Sequence, residues 1–132
     1  MAGDAVVTCA GHILLIERGK LPGRGLWALP GGFFKNDGAV VDYDQVDTAI
    51  RELIEETQIS KTSDELRLHI RKSQDFTHPS RSQRWRILTK ATYIILNDTV
   101  LPNVEAADDA YHAFWVPICD VVRNREKMFE DH

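Results

Sequence analysis

The sequence predicts an α/β fold in which a mixed β-sheet lies between helices. Apolar, β-branched runs occur on both sides of one strong amphipathic helix, and a second helical segment closes the chain. Because strand signals precede and follow the first helix, the strands are expected to share one sheet that buries a face of each helix. With 132 residues the chain has room for one core of two or three layers, so a single domain covering residues 1–132 is predicted.

The first strand signals lie before residue 35. Apolar runs at residues 5–9 and 12–17 are joined by an Ala-Gly pair, which predicts a β-hairpin. The segment "KLPGRG" predicts a loop because it combines proline with two glycines. The segment "LWALPGGFF" predicts a short strand that "PGG" interrupts.

The clearest helix signal begins after Asp44, a candidate N-cap, and ends near Thr57. Downstream, "LRLHIRKSQDFT" and "RWRILTKATYIILN" alternate polar and apolar residues as half-buried strands do, with "HPSRSQ" as the loop between them. The turn-rich "DTVLPNVEAADDA" leads to another strand, "YHAFWVPI", and "CDVVRNREKMFEDH" predicts a short C-terminal helix.

Composition excludes several classes of protein. A net charge of −4 argues against a general nucleic-acid surface, which would be basic. No run approaches the roughly 20 apolar residues that a membrane helix needs. The first residues lack the pattern of a signal peptide, so a cytoplasmic location is expected. Cys9 and Cys119 both lie in apolar settings, which predicts two buried thiols rather than a disulfide.

The predicted helix has two distinct faces. Each residue advances roughly 100° around the axis, so glutamates at positions 52, 55 and 56 gather in one sector, expected to face solvent. Like charges three and four residues apart destabilise a helix by roughly 0.2–0.5 kcal/mol per pair, so the cluster needs an explanation. The sector roughly opposite is expected to face the core and contains Val46, Ala49, Ile50, Leu53 and Ile54.

Two interpretations of this glutamate cluster are open. Carboxylate oxygens are the hard ligands that Mg²⁺ or Mn²⁺ prefers, and Mg²⁺ usually takes one or two of them while phosphates and water complete its shell. The alternative is a solvated acidic helix face. The "LPGG" upstream favours the metal interpretation, because glycines let the backbone turn tightly and approach a ligand closely.

Gly31 and Gly32 followed by "RELIEE" resemble the signature of the Nudix hydrolase family, a loop that starts with glycine and a helix that ends in Arg-Glu-apolar-x-Glu-Glu. The segments "GLWALPGGFF" and "AFWVPICDV" resemble framework segments of the same family, so the similarity covers nearly the whole chain. The resemblance implies a Nudix fold, which is an α/β/α sandwich. It also implies Mg²⁺-dependent hydrolysis of a nucleoside diphosphate linked to another group.

The sequence departs from this signature at two positions. The family has a glutamate eight positions before the arginine of "RE", where this chain has Tyr43, and the connection from Gly32 is about five residues longer than usual. Asp42 and Asp44 are the candidates to replace that glutamate. Gln58 stands where the family has a glycine late in the motif, which affects the turn after the helix more than the chemistry.

The resemblance also implies roles for individual residues. Glu52, Glu55 and Glu56 would hold the metal, and one of them would help to deprotonate the attacking water. Arg51 would orient these carboxylates by charge-assisted hydrogen bonds rather than bind substrate. In some relatives the general base comes from a distant loop, and Glu105 is the candidate for that role here.

An arginine-rich segment indicates the substrate. The stretch "DFTHPSRSQRWRILTKATYI" resembles "F-D-x-P-x-R-S-x-R-G-R-x-I-T" in the Nudix domains of bifunctional nicotinamide-mononucleotide adenylyltransferase/ADP-ribose pyrophosphatases. Trp85 replaces the usual glycine, and Leu88 and Lys90 depart from the motif at its end. Arg81, Arg84 and Arg86 match, and guanidinium groups bind phosphate oxygens in bidentate fashion. The alternative is that the arginines only form the solvent face of a strand.

The function predicted from the sequence is that of an ADP-ribose pyrophosphatase that uses Mg²⁺ or Mn²⁺ and acts on a small nucleoside diphosphate, without a nucleic-acid or membrane partner. Two alternatives stay open. One is a Nudix hydrolase with another substrate, such as an oxidised nucleotide. The other is a non-catalytic Nudix-like domain that senses a nucleotide. A homodimer is a further expectation from the family resemblance.

Overall fold

The computed structural model describes residues 1–19, 24–77, 88–106 and 110–123. Within these ranges the predicted order of strands and helices is largely confirmed, with one additional helix. The strands are β1 (Ala2–Cys9), β2 (His12–Arg18), β3 (Trp27–Ala28), β4 (Gly31–Phe33), β5 (Ile70–Thr77), β6 (Leu88–Leu96) and β7 (Ala110–Pro117). The helices are α1 (Gln45–Thr57), α2 (Ser63–Leu68) and α3 (Ile118–Arg123).

The strands of the described residues form one mixed sheet. The strand order is β3-β2-β1-β6-β5, while β4 pairs with β1 and β7 pairs with β2. β1 runs parallel to β6 along the whole length of β1, from Ala2 opposite Thr89 to Cys9 opposite Leu96. The other pairings are antiparallel. The predicted α/β fold with a mixed sheet is therefore confirmed.

The predicted hairpin is present but short. Ala10 and Gly11 form its turn with φ angles of +49° and +75°, and glycine adopts this left-handed conformation without steric cost. Only two residue pairs join β1 to β2, beginning with Cys9 opposite His12. The two strands then separate, because β1 continues along β6 and β2 continues along β7.

Helix α1 provides one wall of the core. Ala49, Ile50 and Leu53 are buried, and Val46 and Ile54 pack against the same cluster, which confirms the predicted apolar sector. Fully burying a leucine side chain contributes roughly 1.5–3 kcal/mol, so this face fixes the rotation of the helix about its axis. The strands and α2 supply the opposing buried side chains, among them Ala5, Val7, Leu14, Leu66, Ile94 and Leu96.

Helix α2 was not predicted. Its last residues belong to "LRLHIRKSQDFT", for which the alternation of polar and apolar residues predicts a strand. Thr62 and Glu65 form a reciprocal capping box, and Leu66 anchors the helix in the core. The "TSDE" stretch carries the capping-box signature, so the signal for this helix was present in the sequence.

Two other predictions are corrected in part. Cys9 is buried, as predicted, but Cys119 at the start of α3 is exposed, and both thiols are free. The strand predicted over "LWALPGGFF" is divided into β3 and β4. Of the predicted C-terminal helix, the structure describes only the part that ends at Arg123. No helix in the described part of the chain is long and apolar enough to cross a membrane.

Candidate active site

The three glutamates of α1 do not share one environment. Glu52 and Glu56 are buried, with 8% and 5% of their surfaces exposed, whereas the Glu55 side chain is 41% exposed. The expectation that all three face solvent is therefore wrong for Glu52 and Glu56. The helix is covered on a second side as well, because strand β4 approaches the turn that carries these two residues.

Strand β4 places glycine backbone directly against the two buried carboxylates. The Gly31 N–H donates a hydrogen bond of 2.8 Å to Oε1 of Glu56. At Gly32, a Cβ atom would lie only 2.7 Å from Cδ and 2.8 Å from Oε2 of Glu52. Glycine is thus required at position 32 by the lack of space, and the two carboxylates lie beside the same two-residue segment.

Arg51 occupies the centre of a network of acceptors. Nε and Nη2 donate to Oδ1 and Oδ2 of Asp42 at 3.0 and 2.9 Å, and Nη2 also donates to the Phe33 carbonyl at 3.2 Å. Nη1 donates to Glu52 at 2.6 Å and to Glu55 at 3.3 Å. A guanidinium has five N–H groups, so each one has an acceptor. The structure thus places Arg51 against the carboxylates, and the orienting role that the resemblance implies for it stays a prediction.

Asp42, one of the two candidates to replace the family glutamate at position 43, is the aspartate that contacts Arg51. Its side chain is buried and also accepts hydrogen bonds from the Lys35 N–H and the Thr48 hydroxyl. The hydrogen bonds from Arg51 are the main reason why the pKa of Asp42 falls from 3.8 to about 2. The same bonds raise the pKa of Arg51. Tyr43, by contrast, is 87% exposed.

The second candidate, Asp44, has a different task. Its side chain accepts a hydrogen bond from the Asp47 N–H and caps the N-terminus of α1, as predicted. The sequence narrowed the replacement to two aspartates but could not choose between them. It gave no indication of the Phe33 carbonyl or the Thr48 hydroxyl, because these contacts depend on how the long connection folds back on the helix.

Gln58 adopts the conformation that a glycine would adopt at the end of α1. Its φ and ψ angles are +45° and +39°, in the left-handed region, and its N–H donates to the Ile54 carbonyl at 2.9 Å. The helix therefore ends in the usual way despite the missing glycine. This departure concerns the turn after the helix, as the sequence indicated.

Glu105 lies beside the C-terminal end of α1. Its N–H donates to the Thr57 carbonyl at 2.7 Å, and the Ser60 N–H donates to Asn103 in the same segment. Glu105 is exposed, so its carboxylate is accessible to solvent at the end of the helix that carries Glu56. Arg81, Arg84 and Arg86 lie outside the described residues, and their role in substrate binding stays a prediction.

The donor set fits a magnesium-type ion that takes few protein ligands. Among the described residues, no three His, Cys, Asp or Glu side chains converge into a group that could hold a metal ion. Two carboxylates, Glu52 and Glu56, nevertheless lie beside one glycine segment. Mg²⁺ typically uses one or two carboxylates and completes its shell with water and substrate phosphates, so two are sufficient.

Comparison with known proteins identifies the family. A family model described as NUDIX domain matches residues 2–132. The chain belongs to the NUDIX family. Members of this family generally need a divalent metal. The Nudix fold expected from the glycine and glutamate motifs is thereby confirmed.

Solved structures support this NUDIX assignment. A bifunctional NMN adenylyltransferase/ADP ribose pyrophosphatase from Francisella tularensis, crystallised with AMP and a manganese ion, matches with a TM-score of 0.91 and 35% identity. The match covers 99% of this chain but 38% of the Francisella chain. A MutT/nudix family protein from Enterococcus faecalis matches with a TM-score of 0.69 and 28% identity, over 86% of this chain and 42% of its own.

A third structure shows the fold alone. The NUDIX domain of Shewanella oneidensis NrtR, in complex with ADP ribose, has a TM-score of 0.75 at 22% identity, with 98% of this chain and 79% of that chain covered. The shared architecture therefore persists at low sequence identity.

Proposed function

We propose that this NUDIX protein hydrolyses the diphosphate of ADP-ribose to AMP and ribose 5-phosphate. The observation that carries the proposal is the burial of Glu52 and Glu56 beside the Gly31–Gly32 segment. Two carboxylates that are buried side by side on one helix offer the hard oxygen ligands that a divalent cation prefers, and such a cation would add its charge to that of Arg51 beside Glu52. Such a site suits chemistry on phosphate groups.

Glu52 and Glu56 would hold the Mg²⁺ or Mn²⁺ ion. Glu55, which is exposed on the same turn, is the third carboxylate that the family resemblance assigns to the metal. Such an ion lowers the pKa of a coordinated water and neutralises charge that builds up on the phosphates. Before such an ion binds, Arg51 would orient the Glu52 and Glu55 carboxylates through the hydrogen bonds of Nη1. These four residues form the charged part of the proposed site.

A proton acceptor is needed for the attacking water. Glu56 is one candidate, and its orientation is fixed by the Gly31 N–H. Glu105 is the other, because its backbone is bonded to the end of α1 and its side chain is exposed. Water attacks one phosphorus, the bond from that phosphorus to the bridging oxygen breaks, and the proton leaves to the base.

The choice of ADP-ribose rests on similarity. The Francisella protein, at 35% identity, is described as an ADP ribose pyrophosphatase, and the segment with Arg81, Arg84 and Arg86 resembles that of this protein class. Three guanidinium groups would bind the diphosphate oxygens in bidentate fashion. Since this chain spans 38% of that protein, no other activity of the bifunctional enzyme is proposed here.

A non-catalytic nucleotide sensor is the second candidate. The observation in its favour is that Arg51 already compensates Glu52 and Glu55, so these carboxylates do not require a metal for charge balance. A sensor of this kind would bind ADP-ribose without turnover. A third candidate is a hydrolase with another nucleotide substrate, and the substrate panel described next distinguishes it from the other two.

The test is incubation with ADP-ribose, NAD, diadenosine polyphosphates and nucleoside triphosphates, each with Mg²⁺ and with EDTA, followed by chromatography of the products. Metal-dependent release of AMP and ribose 5-phosphate, preferentially from ADP-ribose, is the expected result. Preferential hydrolysis of another compound would mean that ADP-ribose is not the substrate. Binding of ADP-ribose without any product would establish the sensor.

A further inference from the structure

Arg51 has two sides with different partners. Three of its N–H groups point away from the glutamates, where they bind the Asp42 carboxylate in the connection between β4 and α1 and the carbonyl of Phe33 at the end of β4. The two N–H groups of Nη1 bind Glu52 and Glu55. One guanidinium therefore links the connection to two of the carboxylates that the proposed function assigns to the metal.

These contacts create a competition. Glu52 and Glu55 cannot offer the same lone pairs both to Nη1 and to a divalent cation. The Glu55 bond, at 3.3 Å and exposed, is easily replaced, whereas the Glu52 bond is 2.6 Å and lies in a buried site. If these were the only acidic partners of Arg51, a cation that took them would leave a largely buried guanidinium uncompensated, which is costly.

Asp42 removes this cost. Its two oxygens bind Nε and Nη2 in a parallel, bidentate pair at 3.0 and 2.9 Å, and only 2% of its side chain is exposed. The Lys35 N–H and the Thr48 hydroxyl hold the carboxylate in position. The charge of Arg51 thus stays compensated by a carboxylate that lies outside α1.

We infer that Asp42 is a positioning residue for metal binding: it retains Arg51 on the side of the connection and so leaves Glu52 and Glu55 available to the cation. This inference rests on the proposed function, since it requires that these glutamates hold a metal. The inference also gives the longer connection a function. Residues 35–42 form a loop closed by two main-chain hydrogen bonds, and this loop places position 42, not 43, against the helix.

The experiment is a double-mutant cycle read by Mn²⁺ binding, in which electron paramagnetic resonance measures free Mn²⁺ without any substrate. The proteins are the unchanged chain, Asp42→Asn, Arg51→Gln and the double variant. Asp42→Asn is expected to weaken Mn²⁺ binding by roughly 10–100-fold, the range for groups that orient metal ligands. In the Arg51→Gln background the same substitution should change the affinity by less than about twofold, because its effect passes through Arg51.

An equal loss in both backgrounds would overturn the inference, since Asp42 would then act on the cation without Arg51. Asp44→Asn is the matched control: it removes one negative charge two residues away, asparagine caps a helix as well as aspartate, and Asp44 has a separate partner in the Asp47 N–H. If Asp44→Asn weakened Mn²⁺ binding as much as Asp42→Asn does, only the net charge would matter, and the inference would again be overturned.

Arg51→Lys provides a second route that leaves Asp42 intact. Lysine keeps the charge but cannot form the bidentate pair with Asp42, so its ammonium group is not retained there and competes with Mn²⁺ for the glutamates. Arg51→Lys is therefore expected to bind Mn²⁺ at least about fivefold more weakly than Arg51→Gln. Equal affinities would contradict the inference. Failure of the unchanged protein to bind Mn²⁺ would instead refute the metal site of the proposed function. Thermal melts in EDTA establish that each variant is folded before its affinity is compared.

Discussion

The glutamates of α1 are held from two directions by different physical means. On one side, β4 donates the Gly31 N–H to Glu56 and places the bare Gly32 backbone against Glu52, and the contact with Glu52 depends on space. On the other side, the connection presents Asp42 to Arg51, and the contact depends on charge. The glycine side should therefore respond to any added atom, and the Arg51 side should respond to pH and to loss of charge.

The largest effect is expected where a glycine-side carboxylate loses its charge. Glu56→Gln should reduce hydrolysis of ADP-ribose by on the order of 10³-fold, the scale of losing a general base or a group that stabilises transition-state charge. The fold should persist, because the glutamine oxygen can still accept the Gly31 hydrogen bond. The measurement is kcat/KM together with a thermal melt.

Glu55→Gln is the matched comparison one residue away. Glu55 is exposed and its bond to Arg51 is long, so we expect a loss of about tenfold or less. Equal losses at the two positions would contradict the distinction between a buried and an exposed glutamate.

A substitution at Gly32 tests the role of space directly. Gly32→Ala places a methyl group within 2.8 Å of the Glu52 carboxylate, which must then move. A displacement of about 1 Å in an active site costs roughly 10²-fold in rate, and we expect a loss of that size in kcat/KM.

Gly38→Asn is the control on the connection. A Cβ at Gly38 would meet nothing within 4 Å, and asparagine tolerates its φ of +88° better than most residues. This variant should retain its activity to within about twofold. Comparable losses from the two substitutions would show that glycine at position 32 is not needed for space.

The features that were predicted best from the sequence are those that a local pattern of residues determines. The bounds of α1, its Asp44 cap and its apolar sector were correct, because they follow from periodicity within a few residues. The burial of Glu52 and Glu56 was missed, since it arises when β4, some twenty residues earlier, is packed against the helix. Helical periodicity shows on which face of the helix a residue lies, but it does not show which other element packs against that face.

The same limit applies to the choice between Asp42 and Asp44. Both are short acidic residues before a helix, and their separate tasks emerge only from the closed connection over residues 35–42. The capping box of α2 was a different case, because its signal was local and the strand-like alternation after it was given more weight than the cap.

Acid should weaken the charge side of the comparison. The pKa of Asp42 is about 2 when folded, below its ordinary 3.8, so the pairing with Arg51 stabilises the fold above about pH 4 and is lost as the pH falls toward 2. A shift of this size corresponds to about 2 kcal/mol. Urea unfolding at stepped pH should show that Asp42→Asn is less stable than the unchanged protein near neutrality, and that the difference shrinks below pH 4. A difference that stays constant from pH 7 to pH 2 would contradict this role.

The smallest effect is expected at Gln58, where neither space nor charge is the issue. A left-handed backbone costs a non-glycine residue roughly 1–2 kcal/mol, and glycine at this position would remove that steric cost. Glycine also makes the unfolded chain more flexible, which cancels part of the gain in stability. Gln58→Gly should therefore raise the free energy of unfolding by about 0.5–1 kcal/mol, while Gln58→Ala, which keeps the strained φ, should not. Equal stabilities for the two variants would mean that the Gln58 side chain, and not its backbone, governs the end of α1. A gain in stability without a change in kcat/KM would separate this turn from the glutamate network, since a residue that only closes the helix has no reason to alter the charges around Arg51.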